Sequence, residues 1–383
     1  MKIAIATFAA LPVPPVKGGA VETLLDYVCT ENEIFRDLEI DVFSIYDESA
    51  VRVPQKTYTK YTFIHNKKIK KFSIYNILNK ALNTHKFLNA NIKEYVTEIN
   101  KKEYDFVIIT SIFKELEFIA EKLKSPVIWY LHADALSVLD KADVSRIIQK
   151  CKAVITVSDF VSGRIKELSP FCQVITVKNC SGIEAISKER EQEVSGKIRE
   201  KYGIAEDDIL FTYVGRIMSI KGIKELVTAF NQLDSDNKKL LIVGSPTTQE
   251  DYEYLKELKS ICDGNVVFAG YIENQNLNEI YCATDAAVVP SICFEAAGLT
   301  VIEPQLCGRY VIATNIGGIP EYCENGRLVE YGDSFIENLK NAMADFCNHK
   351  DYYISNCNRL IKYNKKSYYT DFCNALKTIQ EER

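Results

Sequence analysis

The chain has 383 residues, of which 47% are hydrophobic, and it carries a formal net charge of −5 at pH 7 with a sequence pI of about 5.7. This length exceeds the size at which one hydrophobic core keeps growing, so we expect two domains. The acidic balance gives no broad basic field, which argues against nucleic acid as a partner.

Twelve cysteines are spread along the chain, with no C-x-x-C pair and no cysteine–histidine cluster of zinc type. We interpret them as reduced core residues, which predicts a cytoplasmic protein. Lys2 and the apolar run after it imitate a secretory signal, but Pro12, Pro14 and Pro15 interrupt that run. No run approaches 18 apolar residues, so we expect no membrane-spanning helix.

In the first half of the chain, short apolar runs alternate with helical stretches, which is the pattern of a parallel α/β sheet. The predicted strands are Lys2–Thr7, Asp41–Ile45, Phe106–Thr110, Val127–Leu131, Ala153–Val157 and Val174–Val177. The segment between Ile45 and Tyr104 shows the weakest periodicity. Its basic stretch Lys67–Lys71 precedes apolar residues, so it indicates either an amphipathic helix in peripheral contact with an anionic membrane or a solvated helix.

The alternation pauses after Val177, where Lys178–Gly182 and a charged stretch follow, and we place the domain boundary there. A second series of predicted strands then comprises Ile209–Val214, Leu240–Val243, Val266–Ala269, Ala286–Val289 and Tyr310–Ala313. Two Rossmann-like domains are therefore predicted. From Asp333 onward the pattern is helical, and Lys366–Gln380 is an amphipathic helix.

Candidate site residues follow the predicted strands, because ligands of open α/β sheets bind beyond the carboxyl ends of the strands. Gly18-Gly19 follows the first strand and indicates either a tight turn or a backbone that approaches a ligand. His132 and Ser158 also follow strands, and a histidine in such a place is either structural or functional. In the second series Arg216 follows the first strand and Lys221 precedes the next helix.

The segment after Ala286–Val289 carries the densest signal. Pro290-Ser291 ends that strand, and Gly298 precedes apolar residues at helical spacing over Leu299–Leu306. The N–H groups at the start of such a helix form an anion site.

Two glutamates flank this predicted anion site. Glu295 lies in the loop and Glu303 eight positions later in the helix, a spacing that also occurs by chance in acidic chains. Pro304 follows Glu303, and because proline is tolerated in a first turn, we expect this helix to begin late, near Val301–Glu303.

Several motifs in this segment occur together and in order. They are Pro290-Ser291, the E-x7-E pair, Cys307-Gly308 and Gly317-Gly318-x-Pro320-Glu321. Together they resemble the donor-binding signature of retaining GT-B glycosyltransferases of family 4, the glycosyl transferases group 1. This resemblance implies two Rossmann-like parallel-sheet domains facing a deep cleft. Residues 1–180 would bind the acceptor, residues 181–365 would bind a nucleotide-sugar donor, and a terminal helix in residues 366–383 would cross back to the first domain.

The resemblance also implies roles for individual residues. Glu303 would bind the ribose hydroxyls, Glu295 the donor sugar, and His132 would face that sugar from the first domain. Arg216 and Lys221 match a G-R…K-G element that grips the diphosphate. Fixed cations of this kind can stabilise a departing diphosphate, so we expect neither a metal nor another cofactor. The further expected donor contacts are Gly18, Gly19, Ile272, Gly298, Leu299 and Thr300.

A D-x-D sequence at Asp234–Asp236 lies in a polar turn, and we interpret it as a loop and not as a metal site. The leading hypothesis is a retaining glycosyltransferase that moves a sugar from a nucleoside-diphosphate donor to a saccharide or lipid-linked acceptor in surface polysaccharide assembly. It would act in the cytoplasm or at the inner face of the membrane. A nucleotide-sugar epimerase of the same architecture and a non-catalytic sugar-nucleotide binding protein are the alternatives.

Overall fold

The computed structural model describes residues 1–8, 11–65 and 88–382. The chain divides into two compact units: Met1–Asn179 with Lys365–Arg383 form the first, and Cys180–Asn364 form the second. The basic stretch Lys67–Lys71 lies outside the described residues, so the interpretation of that stretch stays a prediction.

The described part of the first unit contains a seven-stranded parallel sheet in the order β3-β2-β1-β4-β5-β6-β7. Its strands are β1 (Lys2–Ala6), β2 (Glu39–Ile45), β3 (Thr59–Ile64), β4 (Phe106–Ile109), β5 (Val127–Leu131), β6 (Ala153–Thr156) and β7 (Val174–Thr176). Its helices before the boundary are α1 (Ala20–Phe35), α2 (Glu48–Val51), α3 (Ala90–Ile99), α4 (Leu116–Lys122), α5 (Lys141–Lys150) and α6 (Asp159–Leu168).

The central strands of this sheet, such as β4 and β5, are buried on both faces, and this is why they form continuous apolar runs in the sequence. Strand β3 differs, because it lies at the sheet edge and only Thr59 and Ile64 in it are buried. It was not among the predicted strands. Its polar and half-buried residues lack the continuous apolar run by which the other strands were found.

The last helix, α14 (Lys365–Glu381), belongs to the first unit. The Tyr369 hydroxyl donates to Asn32 Oδ1 on α1 at 2.8 Å, and the hydroxyls of Tyr368 and Tyr130 lie 2.9 Å apart. Phe372 is fully buried on the same helix. The helix is therefore an integral part of the first hydrophobic core.

The described part of the second unit contains a six-stranded parallel sheet in the order β10-β9-β8-β11-β12-β13. Its strands are β8 (Ile209–Val214), β9 (Lys238–Val243), β10 (Val266–Gly270), β11 (Ala286–Val289), β12 (Tyr310–Thr314) and β13 (Gly326–Val329). Its helices are α7 (Lys188–Lys201), α8 (Ile223–Asn231), α9 (Gln249–Ile261), α10 (Leu277–Ala283), α11 (Leu299–Leu306), α12 (Phe335–Asn348) and α13 (Lys350–Asn356).

Successive residues of the central strands of the second unit pack into apolar clusters on opposite faces of the sheet. Phe211, Ala286, Val288 and Ile312 contact one cluster, whereas Leu210, Ala287, Val289 and Val311 contact clusters on the other face. Layers of helices on both sides are thus needed to bury this sheet.

The helix that carries Glu303 begins earlier than expected. Helix α11 starts at Leu299, directly after Gly298, and its first turn is closed by the Val301 and Ile302 amides, which donate to the Gly298 carbonyl. The expectation of a start near Val301–Glu303 is therefore wrong. Pro304 lies inside the helix, where it removes a single N–H donor while the flanking residues stay buried.

None of the helices within residues 1–8, 11–65 and 88–382 is both long and apolar enough to cross a membrane.

Phe372→Ala should lower the free energy of unfolding of the first unit by about 3–5 kcal/mol, because it leaves a cavity under α14. The single tryptophan, Trp129, is buried in β5, so its fluorescence during urea unfolding reports on this unit. Phe171→Ala is the matched control, since that ring is fully exposed, and its effect should stay within about 0.5 kcal/mol. Equal effects of the two substitutions would contradict the described packing of α14.

Candidate functional site

Three loops of the second unit meet beyond the carboxyl ends of β8, β11 and β12. They are the turn Ser219–Gly222, the loop from Pro290 to Gly298 and the turn at Gly317-Gly318. The Ile292 amide donates to the Ile220 carbonyl at 3.1 Å, which joins the first two loops. The Gly318 amide donates to the Glu295 carbonyl at 2.7 Å, which joins the second and third. Backbone contacts thus fix the loops against each other.

Two glycines make this close approach possible. Gly222 has a φ of +68°, and a Cβ there would overlap the Pro290 carbonyl oxygen. Gly317 has a φ of +61°, and a Cβ there would lie 2.5 Å from the Glu295 carbonyl oxygen. The glycines of both sequence motifs are therefore required by backbone conformation and by space.

The fixed loops bring the predicted residues Lys221 and Glu295 into contact. The Lys221 ammonium forms an ion pair with Glu295 Oε1, and the Ser291 hydroxyl donates to the same oxygen at 2.9 Å. The side chains of Lys221 and Glu295 are 17% and 22% exposed, so the pair is shielded from water but can be reached by a ligand. The second carboxylate oxygen of Glu295 is left to accept further bonds.

Arg216 lies in the same region, directly beyond β8, and its side chain is exposed. The Tyr213 hydroxyl donates to the Arg216 carbonyl at 2.8 Å, which fixes the backbone at this residue. Burial raises the pKa of the Cys293 thiol, as does the Glu295 carboxylate, against the opposing charges of Lys221 and Arg216. The Glu295, Lys221 and Arg216 charges thus all affect the ionisation of this thiol.

Glu303 has a different environment. It is 9% exposed on α11, where the Tyr281 hydroxyl donates to Oε2 at 3.1 Å and the Ser181 hydroxyl donates to Oε1 at 3.3 Å. Burial raises the pKa of Glu303 to about 7, although both hydroxyl bonds oppose this change. Its protonation therefore changes near neutral pH.

The other predicted donor contacts lie on elements that adjoin these groups. Gly298 is buried and precedes the first helical turn, in which Leu299 and Thr300 are half-buried. Ile272 follows β10 and packs against the apolar cluster that contains Tyr281. The second unit thus brings together Arg216, Lys221 and Glu295 through one set of loops. Ile272 packs against the cluster that contains Tyr281, and Tyr281 donates to Glu303.

The remaining predicted residues lie in the first unit. Gly18 and Gly19 precede α1 with φ values of +74° and +101°, conformations that favour glycine. Ser158 is buried, and its side chain accepts a hydrogen bond from the Val161 amide, so it caps α6. The first unit also has a cavity of about 610 Å³ beyond the ends of β1 to β4. Its walls include Phe8, Glu22, Asn91, Tyr95 and Thr110.

His132 follows β5, and neither of its ring nitrogens has a hydrogen-bond partner among the described residues. Its ring lies 4.1 Å from the Tyr130 ring, between centroids. Burial lowers the pKa of His132 to about 3, so the imidazole is neutral at physiological pH. A buried neutral imidazole with unsatisfied nitrogens has one donor and one acceptor for a ligand.

The sequence did not indicate Ser181, Tyr281 or Cys293. Tyr281 lies among apolar residues at helical spacing and was indistinguishable from a core residue, and Ser181 lies in the segment assigned to the domain boundary. Asp234–Asp236 form a loop before β9, as expected. In the described parts of the chain, no three His, Cys, Asp or Glu side chains are grouped closely enough to hold a metal ion.

Comparison with known proteins identifies the second unit. Residues 194–367 match the family model for glycosyl transferases group 1. This part of the chain is a group 1 glycosyltransferase domain. The resemblance found in the motifs of residues 290–321 is thereby confirmed at the level of this family.

Two curated relatives align with different shares of this chain. The lipopolysaccharide 1,2-N-acetylglucosaminetransferase of Salmonella typhimurium is 30% identical over 206 residues, which cover 50% of this chain and 53% of that enzyme. The chain thus aligns with only about half the length of that relative. Spore coat protein SA of Bacillus subtilis is 23% identical over 350 residues, which cover 85% of this chain and 84% of that protein.

Among solved structures, HepE of Anabaena in complex with UDP and glucose has a TM-score of 0.74 with this chain at 18% identity. The match covers 99% of this chain and 100% of that chain. Sucrose-phosphate synthase of Thermosynechococcus elongatus has a TM-score of 0.72 at 18% identity, covering 100% of each chain. These likenesses show the fold, and the predicted GT-B class of two Rossmann-like parallel-sheet domains is confirmed.

Gly222→Ala should destabilise the second unit by about 1–3 kcal/mol and separate the first two loops, because the new methyl group needs the space of the Pro290 carbonyl. Hydrogen–deuterium exchange should show faster exchange at the Ile292 amide. Gly264→Ala is the control, since a Cβ there meets no atom within 4 Å. Unchanged protection of Ile292 in Gly222→Ala would refute the described loop contact.

Proposed function

We propose that this protein is a retaining glycosyltransferase that moves a sugar from a nucleoside-diphosphate sugar to a hydroxyl of a saccharide or lipid-linked saccharide. The observation that carries this proposal is the Lys221–Glu295 ion pair with Ser291, held by backbone contacts at the edge of the sheet. It offers a fixed cation and a free carboxylate oxygen side by side, and a phosphorylated, hydroxyl-rich ligand needs both.

The two cations act on the diphosphate. When the bond between the sugar C1 and the phosphate oxygen breaks, its electron pair goes to the diphosphate, whose negative charge grows. Lys221 and Arg216 stabilise that charge more strongly in the transition state than in the bound donor. Because Arg216 is exposed and without an ion-pair partner among the described residues, its guanidinium is available to an arriving phosphate.

Glu295 binds the hydroxyls of the donor sugar. Its Oε1 already accepts bonds from Lys221 and Ser291, so Oε2 is the atom that accepts a sugar hydroxyl. Since Lys221 contacts both this carboxylate and the diphosphate, the sugar and its leaving group are aligned with each other. The neutral His132 is a further candidate for a hydrogen bond to a hydroxyl of the substrate, because its ring nitrogens lack partners among the described residues.

Glu303 accepts the ribose hydroxyls of the donor nucleotide. Gly298 to Thr300 at the start of α11 supply further contacts to the donor, and Ile272 beyond β10 adjoins the base. Structures of HepE contain UDP and UDP-glucose, which favours uridine as the nucleoside.

The acceptor hydroxyl attacks C1 on the face from which the diphosphate departs. A new bond forms between C1 and the acceptor oxygen, and the acceptor proton passes to the departing phosphate oxygen, so the configuration at C1 is retained. Fixed cations supply the stabilisation that a metal ion would otherwise give, and we expect a metal-independent reaction.

The acceptor binds in the first unit, where the cavity beyond β1 to β4 offers aromatic rings and polar groups together. Phe8 and Tyr95 supply apolar faces, and Asn91 and Thr110 supply hydrogen bonds, as a saccharide requires. The name of the Salmonella relative favours a role in surface polysaccharide assembly. Contact with an anionic membrane and a cytoplasmic location stay predictions.

The deciding experiment incubates the protein with UDP-glucose, UDP-N-acetylglucosamine, GDP-mannose and ADP-glucose, with and without saccharide acceptors and EDTA. We expect one donor to release its nucleoside diphosphate, to glycosylate an acceptor with retained configuration, and to react equally well in EDTA. Release of a rearranged sugar without an acceptor would indicate the epimerase. Binding without turnover over all donors and acceptors would indicate the non-catalytic alternative.

Arg216→Ala and Lys221→Ala should each lower kcat by roughly 100- to 1,000-fold and weaken binding of the nucleoside diphosphate, because a preorganised donor to a developing anion is lost. Arg216→Lys should recover only part of this loss, since it cannot bind bidentately.

Lys224→Ala is the control for these cation variants. Lys224 lies three residues after Lys221, is half-exposed, and forms an ion pair with Glu257. Because it lies outside the proposed site, its substitution should not change kcat. Normal turnover in Arg216→Ala or Lys221→Ala would remove that cation from the proposed site.

Glu295→Ala and Glu303→Ala should affect different kinetic constants. Glu295 contacts the reacting sugar, so its loss should chiefly lower kcat, whereas Glu303 contacts the ribose equally in the ground and transition states, so its loss should chiefly raise the donor KM. Steady-state kinetics with the donor found above would measure both. The same pattern in both variants would contradict the separate roles.

A further inference from the structure

The carboxylate of Glu303 lies in the interior of the second unit with one hydroxyl donor on each oxygen. Tyr281 donates to Oε2 at 3.1 Å and Ser181 donates to Oε1 at 3.3 Å. Within the described chain, no lysine or arginine forms an ion pair with Glu303. A carboxylate this deeply buried is held only by neutral donors, so the placing of these two hydroxyls decides its orientation.

Both donors are themselves fixed. The Tyr281 side chain is fully buried in an apolar cluster on α10, where it has little freedom to rotate. The Ser181 amide donates to the Tyr363 carbonyl at 3.1 Å, and Ser181 Oγ accepts from the Ile183 amide at 3.2 Å. Because the Ile183 amide proton occupies one side of Ser181 Oγ, the hydroxyl proton of Ser181 is directed to Glu303.

We propose that Tyr281 and Ser181 are positioning residues that orient the Glu303 carboxylate to accept both hydroxyls of a ribose cis-diol. This inference rests on the proposed function of Glu303. Each carboxylate oxygen has about two acceptor positions. The tyrosine and the serine fill one on each oxygen, which leaves one on each for the diol. The site therefore selects ribonucleotide donors over their 2′-deoxy analogues.

The hydroxyls of Tyr281 and Ser181 also favour the ionised form of Glu303, which is the form that accepts hydrogen bonds on both oxygens. Burial raises its pKa to about 7, and the bonds from Tyr281 and Ser181 limit that rise. The ionised carboxylate exists above this pKa, so donor binding should be strongest above pH 7 and should weaken as the pH falls below it. Loss of the Tyr281 hydroxyl removes a bond that lowers the pKa, which moves the midpoint to higher pH.

Tyr281 and Cys307 interact with Glu303, but their own pKa values lie above this range of pH. Burial and the Glu303 charge raise the pKa of Tyr281 well above its ordinary value. Burial raises the pKa of Cys307, which directly follows α11, to about 12; Glu303 raises it too, and Arg309 and Arg359 oppose that rise. Both groups are thus neutral from pH 6 to 9. UDP-glucose is a suitable probe, since its diphosphate lacks the terminal monoester group that titrates near pH 6 in UDP.

The test measures the dissociation constants of UDP-glucose and its 2′-deoxyuridine analogue from pH 6 to 9. Tyr281→Phe should weaken UDP-glucose binding roughly 10-fold, reduce the discrimination against the deoxy analogue, and raise the midpoint of the pH profile by about one unit. Ser181→Ala should act in the same direction. In both variants kcat should change less than about twofold, since the ribose contact does not alter during the reaction.

Two controls separate positioning from packing. Tyr353→Phe removes a tyrosine-to-carboxylate bond of 2.6 Å to Asp345 elsewhere in the second unit, and it should leave binding and the pH profile unchanged. Tyr281→Phe combined with Glu303→Ala should bind no more weakly than Glu303→Ala alone.

The possible outcomes distinguish the two proposals. Wild-type binding by Glu303→Ala would overturn the proposed nucleotide site, and this inference with it. Weakened binding by Glu303→Ala, with an unchanged pH midpoint and unchanged deoxy discrimination in Tyr281→Phe and Ser181→Ala, would overturn this inference alone. An equal loss from Tyr281→Phe in the presence and absence of Glu303 would also overturn it, because the tyrosine would then act through general packing.

Discussion

The candidate site depends on how closely three backbone segments approach each other at one edge of the second sheet. Gly222 against Pro290 and Gly317 against Glu295 leave no room for side chains, and each contact is accompanied by an inter-loop hydrogen bond. Backbone contacts of this kind hold positions more firmly than side-chain contacts do. They allow a lysine and a glutamate, each with several rotatable bonds, to meet in one place.

The Lys221–Glu295 pair that results is only partly exposed. Removing either residue would leave the charge of the other uncompensated in a poorly solvated place, which is unfavourable in free energy. In the absence of ligand, each satisfies the other. A donor with a diphosphate and a sugar brings an anion for the lysine and hydroxyls for the glutamate, so it can enter without leaving either charge uncompensated. The exposed Arg216 needs no such exchange, because water solvates it until a phosphate arrives. The two glutamates of the motif thus have different environments, one paired with a cation in a loop and the other buried among hydroxyls.

The sequence predicted all but two of the described strands, because most of these strands are buried and form unbroken apolar runs, as in β11. The exceptions have physical reasons: β3 lies at an edge with half-buried polar residues, and β13 begins with Gly326 and exposes Arg327 and Leu328. The motif glycines, Lys221 and Glu295 could be identified because they lie in motifs that resemble those of a known family. Tyr281 could not, because a phenol that bonds to a carboxylate has the same sequence pattern as one that only fills space. Helix α11 begins at Leu299 and not near Val301–Glu303, because the bonds to the Gly298 carbonyl and the burial of its apolar residues outweigh the one N–H that Pro304 lacks.

The return of α14 to the first unit determines the order in which the protein can fold during synthesis. Translation proceeds from the amino end, so residues 180–364 are complete before α14 exists. The second unit can therefore reach its native state on the ribosome while the first still lacks the helix that covers Asn32 and Tyr130. Until α14 has been synthesised, the apolar surface that Phe372 covers stays open to solvent, and exposed apolar surface of this kind makes a nascent domain prone to aggregation.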